Sequence, residues 1–168
     1  MAIKKSLLAL TLLAVSAPSM AFLGLSVGAN AGAARLSGSG SNQYGYEYGI
    51  NASYSVAPFI SISSGYTSGE GKVETDFTTG KQTVKYTSIP VQARIDIPLI
   101  IGDIYAKAGA NYYDVDHFNT NDSGWGMTAG AGVAFTMIPF IDLAVGYEYR
   151  EMGKLTTDSV VFSAGLSF

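Results

Sequence analysis

The chain contains no cysteine. It therefore carries no disulfide staple and no thiolate for nucleophilic or metal chemistry. Charge is also scarce, at 14% of residues against about 25% in soluble domains. The formal balance is −3 and moves to −5 without Lys4 and Lys5. An acidic chain with no basic stripe excludes nucleic acid as a partner. There is one histidine, His117, and no zinc-ligand spacing, phosphate-binding loop or pair of catalytic carboxylates. Beyond the first twenty or so residues, no apolar run approaches the about 20 residues that a membrane-crossing helix needs.

The first 21 residues have the organisation of a secretory signal. Lys4 and Lys5 give a basic start, Leu7–Val15 an apolar centre, and Ser16–Ala21 a small-residue segment containing Pro18, with cleavage expected after Ala21. The apolar centre is too short to anchor the chain. One exported domain over residues 22–168 is the expectation.

What is abundant is apolar residues, 48% of the chain, dispersed among Gly, Ser, Thr and Tyr. The last eleven residues show how. Val160, Phe162, Ala164, Leu166 and Phe168 lie on one parity; Ser159, Val161, Ser163, Gly165 and Ser167 lie on the other. This is a period-two pattern with one greasy face and one small, mostly polar face. It recurs seven times upstream, predicting strands over about 22–32, 45–56, 59–68, 83–97, 104–113, 125–137 and 140–150, with the eighth at 158–168. Polar segments at 33–44, 69–82, 114–124 and 151–157 read as longer loops, and Ala57-Pro58, Pro98–Asp103 and Ile138-Pro139 as short turns. Val84 and Tyr86 break the parity of the fourth strand, predicting either a bulge near Pro90 or a strand end above the membrane.

Charge placement separates a membrane barrel from a soluble sandwich. Glu47, Arg94, Asp96, Lys107, Asp142, Glu148 and Arg150 all fall on the small, polar parity. A charge facing lipid near the midplane costs about 2–4 kcal/mol, so a barrel keeps its charges inside. A sandwich would expose its charges and fill the opposite face with bulk. Eight strands, short turns alternating with longer loops, and a Gly- and Ser-rich inward face predict an all-β, eight-stranded, antiparallel up-and-down transmembrane barrel. Aromatics gather at strand ends: Tyr46, Tyr48, Tyr66, Tyr112, Trp125, Tyr147 and Tyr149 at the loop end, and Phe22, Phe59, Tyr105, Phe140 and Phe168 at the turn end. These are expected to form two interfacial girdles.

Ser88–Pro98, Ile104–Ala110, Gly124–Gly132, Gly146–Arg150 and Gly165–Phe168 resemble the small eight-stranded outer-membrane β-barrel family of OmpX, Ail and the OmpA transmembrane domain. The resemblance spans residues 22–168. It implies the outer membrane of a Gram-negative cell, contact with its lipid and lipopolysaccharide, and a terminal Phe168 read by the barrel-assembly machinery. It implies no cofactor, and no peptidoglycan-binding function follows from it.

The inward charges admit two roles. As an ion-pair network filling the lumen, Arg94 and Lys107 would compensate Asp96, Glu47, Glu148 and Asp142. As a narrow polar path, the same groups would gate ions or small solutes, although eight strands leave little bore. His117, with Asp114, Asp116, Asp122 and Ser123 nearby, could in principle serve acyl transfer or hold a divalent cation; a solvated acidic loop explains the same residues, and no catalytic or metal site is assigned. Asn42–Tyr48 and Tyr66–Thr79 have the Tyr, Gly and Ser content of adaptable binding loops, so an extracellular ligand is a third reading. The expectation is a monomeric, non-enzymatic envelope barrel with a closed or nearly closed lumen; a narrow channel comes second and an adhesin third.

Overall fold

The computed structural model describes residues 24–38, 41–74, 81–117, 120–138 and 140–168. The proposed signal segment, 1–21, and Phe22 lie outside them. Eight strands follow in order: β1 Leu25–Gly38, β2 Ser41–Ala57, β3 Ile60–Glu74, β4 Lys81–Leu99, β5 Gly102–His117, β6 Thr120–Ile138, β7 Ile141–Met152 and β8 Leu155–Ser167. Each pairs antiparallel with its sequence neighbours, and β8 pairs with β1, so the sheet closes into a barrel with no free edge. Closure removes the unpaired edge groups that no lipid could satisfy. Beyond the ladder, the Phe168 N–H donates to the Leu25 carbonyl at 2.8 Å and fastens the end of the chain to β1.

The strands extend further than the period-two reading predicted. The segments taken as loops are mostly ladder: β1 continues to Gly38 and β2 starts at Ser41, while β5 runs to His117 and β6 starts at Thr120. Register is continuous through them, from Ala34↔Gly45 to Gly38↔Ser41 and from Asp114↔Ser123 to His117↔Thr120. Gly, Ser, Asn and Asp read as loop formers because they compete with regular structure locally. Here pairing on both sides supplies every strand with a ladder, and that overrides local preference. The barrel thus has a turn end, with connections at Pro58, Ile100 and Phe140, and a hairpin end where four strand pairs project.

Inward and outward faces follow the expected parity over the lower part of every strand. Higher up, the chemistry reverses. Ala34, Leu36, Val84, Tyr86, Tyr113, Val115 and Met152 point inward and form one buried apolar cluster, with Leu155 packed against it. Outward at the same height stand Arg35, Lys85 and Asp116, and Lys85 lies in register between Glu70 and Asp116. The hairpin end is therefore built like a soluble barrel, greasy inside and charged outside, above a zone built the opposite way. This explains Val84 and Tyr86. There is no bulge at Pro90; the β3–β4 register is the same on both sides of it. The inward parity never breaks, and only the residue class it carries changes. The register shifts lie elsewhere, at Ser55/Ala57 and Phe135/Ile138.

Glycine makes room where large inward side chains cross the narrow bore. A Cβ on Gly69 would lie 2.3 Å from Cζ of Tyr86. Gly69→Ala is expected to cost about 1–3 kcal/mol by overpacking, read as a lowered urea midpoint. In a Tyr86→Leu background that penalty should largely vanish. A penalty of the same size in both backgrounds would show that the ring is not what Gly69 accommodates.

Candidate functional site: the plugged lumen

The lumen is stacked in three layers. Lowest is a polar cavity of about 290 Å³. Its lining reaches the turn-end residues Ser55, Ser61, Asp96, Asp142 and Ser167. Ser55, on the inward parity, is exposed there, so the cavity is open at that end. Arg94 donates to Asp96 through Nε at 2.8 Å and Nη2 at 2.5 Å. Its guanidinium also lies 4.0 Å from the ring centre of Tyr105. Tyr105 is buried and inward-facing, so it does not belong to the outer girdle proposed for it; its parity is that of Lys107. Asp142 accepts a hydrogen bond from the Ser167 hydroxyl.

The middle layer is ionic. Arg150 Nη1 donates to Glu47 Oε2 at 2.8 Å, and Nη2 donates to Glu148. Lys107 donates to the other oxygen of Glu148. Tyr86 completes the layer by donating its hydroxyl to Glu47 Oε2 at 2.7 Å. Arg150 and Glu47 are 1% and 2% exposed, and Arg150 lines the inner end of the polar cavity. Gln92 spans the lumen to Thr128 at 2.8 Å beside them. Arg94 and Lys107 stand directly opposite on β4 and β5, a like-charge pairing that destabilises a sheet when the heads meet. The two diverge, Arg94 toward Asp96 and Lys107 toward Glu148, so each charge has its own counter-ion.

Pairing thus departs from the expectation in two places. Glu47 is met by Arg150, 103 positions away, and not by Arg94 or Lys107. Asp142 faces a serine hydroxyl and not a cation. Tyr86 and the apolar cluster, which make up the third layer, were absent from the candidate residues. Their signal lies in the sequence: Ala34, Leu36, Val84 and Tyr86 hold the inward parity through segments whose composition reads as loop or irregular.

On the outer face, Tyr46, Tyr48, Tyr66, Tyr112, Trp125 and Tyr147 are exposed and Tyr149 is half-buried. Tyr112 and Trp125 pack edge to face with centroids 5.6 Å apart. Tyr46 donates to Glu70 at 2.5 Å, Tyr147 to Asp158, and Tyr149 to Glu151 at 3.3 Å. These rings therefore sit where the apolar zone meets the charged hairpin end. Around His117, the backbone sets Asp114 opposite Ser123 and Asp116 opposite Asn121. The His117 side chain lies outside the described residues. Among the described residues, no group of three or more His, Asp or Glu comes together to hold a metal ion.

A closed eight-stranded barrel with apolar strands outside and ion pairs inside is the geometry of an outer-membrane barrel. The model of the outer membrane protein beta-barrel domain family matches residues 6–168. The chain belongs to this family. It is accordingly an outer-membrane protein, crossing the bilayer with strands. Solved barrels share the fold. Neisserial surface protein A, NspA, superposes with a TM-score of 0.72 at 22% identity, covering 86% of this chain and 97% of that one. The N-terminal barrel of Pseudomonas aeruginosa OprF gives 0.61 at 13% identity, covering 87% and 99%. Ail of Yersinia pestis, solved with the heparin analogue sucrose octasulfate, gives 0.57 at 17% identity, again covering 87% and 99%. No curated protein sequence matches the chain significantly. In this family the short turns face the periplasm and the opposite end faces outward.

Proposed function

We propose that this protein is a closed structural barrel of the cell envelope, with no solute path through its lumen. One observation carries the reading: an apolar layer of Leu36, Val84, Tyr86, Tyr113, Val115 and Met152 lies above the ionic layer. An ion entering the periplasmic cavity meets the Glu47–Arg150 pair and then this dry cluster, where a charge has no partner. The outer tyrosines and Trp125 suit the lipid and lipopolysaccharide boundary, as amphipathic rings do. Phe168, hydrogen-bonded to β1, is the residue offered to the barrel-assembly machinery. A single closed barrel supports a monomer.

The test is planar-bilayer conductance of the refolded chain beside an Arg94→Ser variant. Both are expected to be silent. A reproducible small conductance that changes with Arg94→Ser would instead make the lumen a narrow channel.

A binding role at the outward hairpins is the second reading, favoured by their projection as ordered ladder. Its ligand chemistry would differ from the sulfated sugar bound by Ail. Among the described side chains, Arg35, Lys85 and Lys154 are outnumbered there by Glu70, Asp114, Asp116, Asp122, Glu151 and Asp158. An acidic surface repels a polyanion. Deleting residues 75–80 should alter partner binding under this reading and leave it unchanged under the structural one.

A further inference from the structure

The polar cavity holds more negative charge than its own side chains balance. Below the apolar cluster the bore contains the carboxylates Glu47, Asp96, Asp103, Asp142 and Glu148 and the cations Arg94, Lys107 and Arg150. Each cation has a counter-ion: Arg94 meets Asp96, Lys107 meets Glu148, and Arg150 meets Glu47 and Glu148. Asp103 and Asp142 are left over. Asp103, expected in a turn, instead begins the inward parity of β5 and lines the cavity. Among the described residues its carboxylate has no ion-pair or hydrogen-bond partner, and Asp142 has only the Ser167 hydroxyl. Both residues are half-buried, and a carboxylate drawn out of water without a counter-ion is costly.

The register shows what lies between them. Asp103 pairs with Ala134, and Ala134 with Ala144. Asp142 is the next inward residue below Ala144 on β7. The two carboxylates thus enter the bore from β5 and β7, two strand spacings or about 10 Å apart, with the methyl groups of Ala134 and Ala144 between them. Past Asp142 the wall stays low, because Gly165 and then Gly28 follow in the same row. These small residues open the cavity. Its wall on β3 carries the hydroxyls of Ser61 and Thr67, residues that are 8% and 2% exposed. Neither hydroxyl bonds to another described residue, and a buried hydroxyl in that position takes its partner from solvent or from a ligand.

We propose that the cavity is a binding site for a small organic dication, an aliphatic primary diamine that enters from the periplasm. One ammonium meets Asp103 and the other Asp142, and the methylenes between them lie over Ala134 and Ala144. An ammonium group donates three hydrogen bonds and accepts none, which suits a site whose unmet charges are both carboxylates and whose other walls are rich in serine. Two such charges bring the occupied bore to neutrality. The same carboxylates repel an anion. A bare divalent metal ion fits less well. It needs about six oxygens around one point, whereas these carboxylates stand two strands apart, and no group of three acidic side chains converges among the described residues. The inference rests on the closed-barrel reading, which leaves the periplasmic end as the entrance.

The test is calorimetric titration of 1,4-diaminobutane into the full chain refolded in palmitoyl-oleoyl phosphatidylcholine nanodiscs, with empty discs as the blank. One saturable site per barrel is expected. Asp103→Asn and Asp142→Asn should each weaken it roughly tenfold, the loss of one charge-assisted contact. Asp116→Asn, at the outer hairpin end, should leave it unchanged. Each inner variant removes an unpaired charge, so both should melt no lower than the parent; either one serves if the other does not fold. The diol 1,4-butanediol, of similar length and uncharged, should not compete. Absence of a saturable site overturns the proposal, as does binding that both inner variants leave intact. Displacement by magnesium chloride at matched ionic strength would make this a metal site, and competition by the diol a neutral polar pocket; either result also overturns it. Bilayer conductance of the same preparation reports closure separately. A conducting barrel that still binds the diamine through Asp103 and Asp142 would overturn the closed lumen and uphold the site.

Discussion

Replacing Arg150 with methionine should destabilise the barrel by about 3–5 kcal/mol, the usual cost of breaking a buried ion pair from one side. Among the described residues, Arg150 is the only cation bonded to Glu47. Glu148 keeps Lys107 after the substitution, but Glu47 keeps only the Tyr86 hydroxyl. A buried carboxylate left with one neutral donor is under-solvated, and that lowers stability. Urea unfolding from lipid vesicles reads the effect, with Trp125 as the reporter because its indole stands on the outer face. The diagnostic is the double variant Glu47→Gln/Arg150→Met. Removing the stranded charge should recover a large part of the loss, since the penalty belongs to the unpaired partner more than to the pair. An Arg150→Met barrel as stable as the parent would mean that Glu47 reaches water, and the ionic layer would then not close the lumen.

Leu36→Ala should cost about 2–5 kcal/mol, the range for a large aliphatic side chain removed from a packed interior. Leu36 is 1% exposed, in the bore among Val84, Tyr86, Tyr113, Val115 and Met152. The loss should be local in character: amide exchange should accelerate in the outer halves of β1 and β8, which pair from Ala34↔Ser159 to Ser37↔Thr156. A shift below about 0.5 kcal/mol, typical of an exposed site, would mean a hydrated outer vestibule in place of an apolar plug. That result would put the narrow-channel reading ahead of the closed barrel, because the dry layer is what argues against it.

The segment around Leu36 also shows where local reading stops. Ala33–Tyr44 holds Gly38, Ser39, Gly40, Ser41 and Asn42, and by composition it is a loop. Its alternation nevertheless persists, with Ala34 and Leu36 on the inward parity and Arg35 on the outward one. The pattern was legible there, but its sign was reversed, since above the bilayer the outer medium is water. A period-two rule that equates the apolar parity with lipid works only over the part of a strand that lipid touches. The same reversal made Val84 and Tyr86 look like a break in β4 when the parity runs unbroken from Val84 to Asp96.

The amino-acid sequence by itself determined the strand number, the antiparallel order, the two faces and the confinement of Glu47, Arg94, Asp96, Lys107, Asp142, Glu148 and Arg150 to the inner one. The faces follow from the pleat, which repeats every two residues, and the number and order of strands from the short connections between the patterned segments. Only the tertiary structure decided which of those charges meet. Closing the sheet with a stagger slides each strand along its neighbour, so residues that face one another across the bore are set by the accumulated register around the ring and not by proximity in the chain. That is why Glu47 on β2 finds Arg150 on β7, and why Arg94 and Lys107, adjacent in the ladder, turn apart, one to Asp96 at the turn end and the other to Glu148 in the middle layer. The apolar plug has the same origin: its residues come from β1, β4, β5 and β7, and nothing within any one strand specifies that they converge.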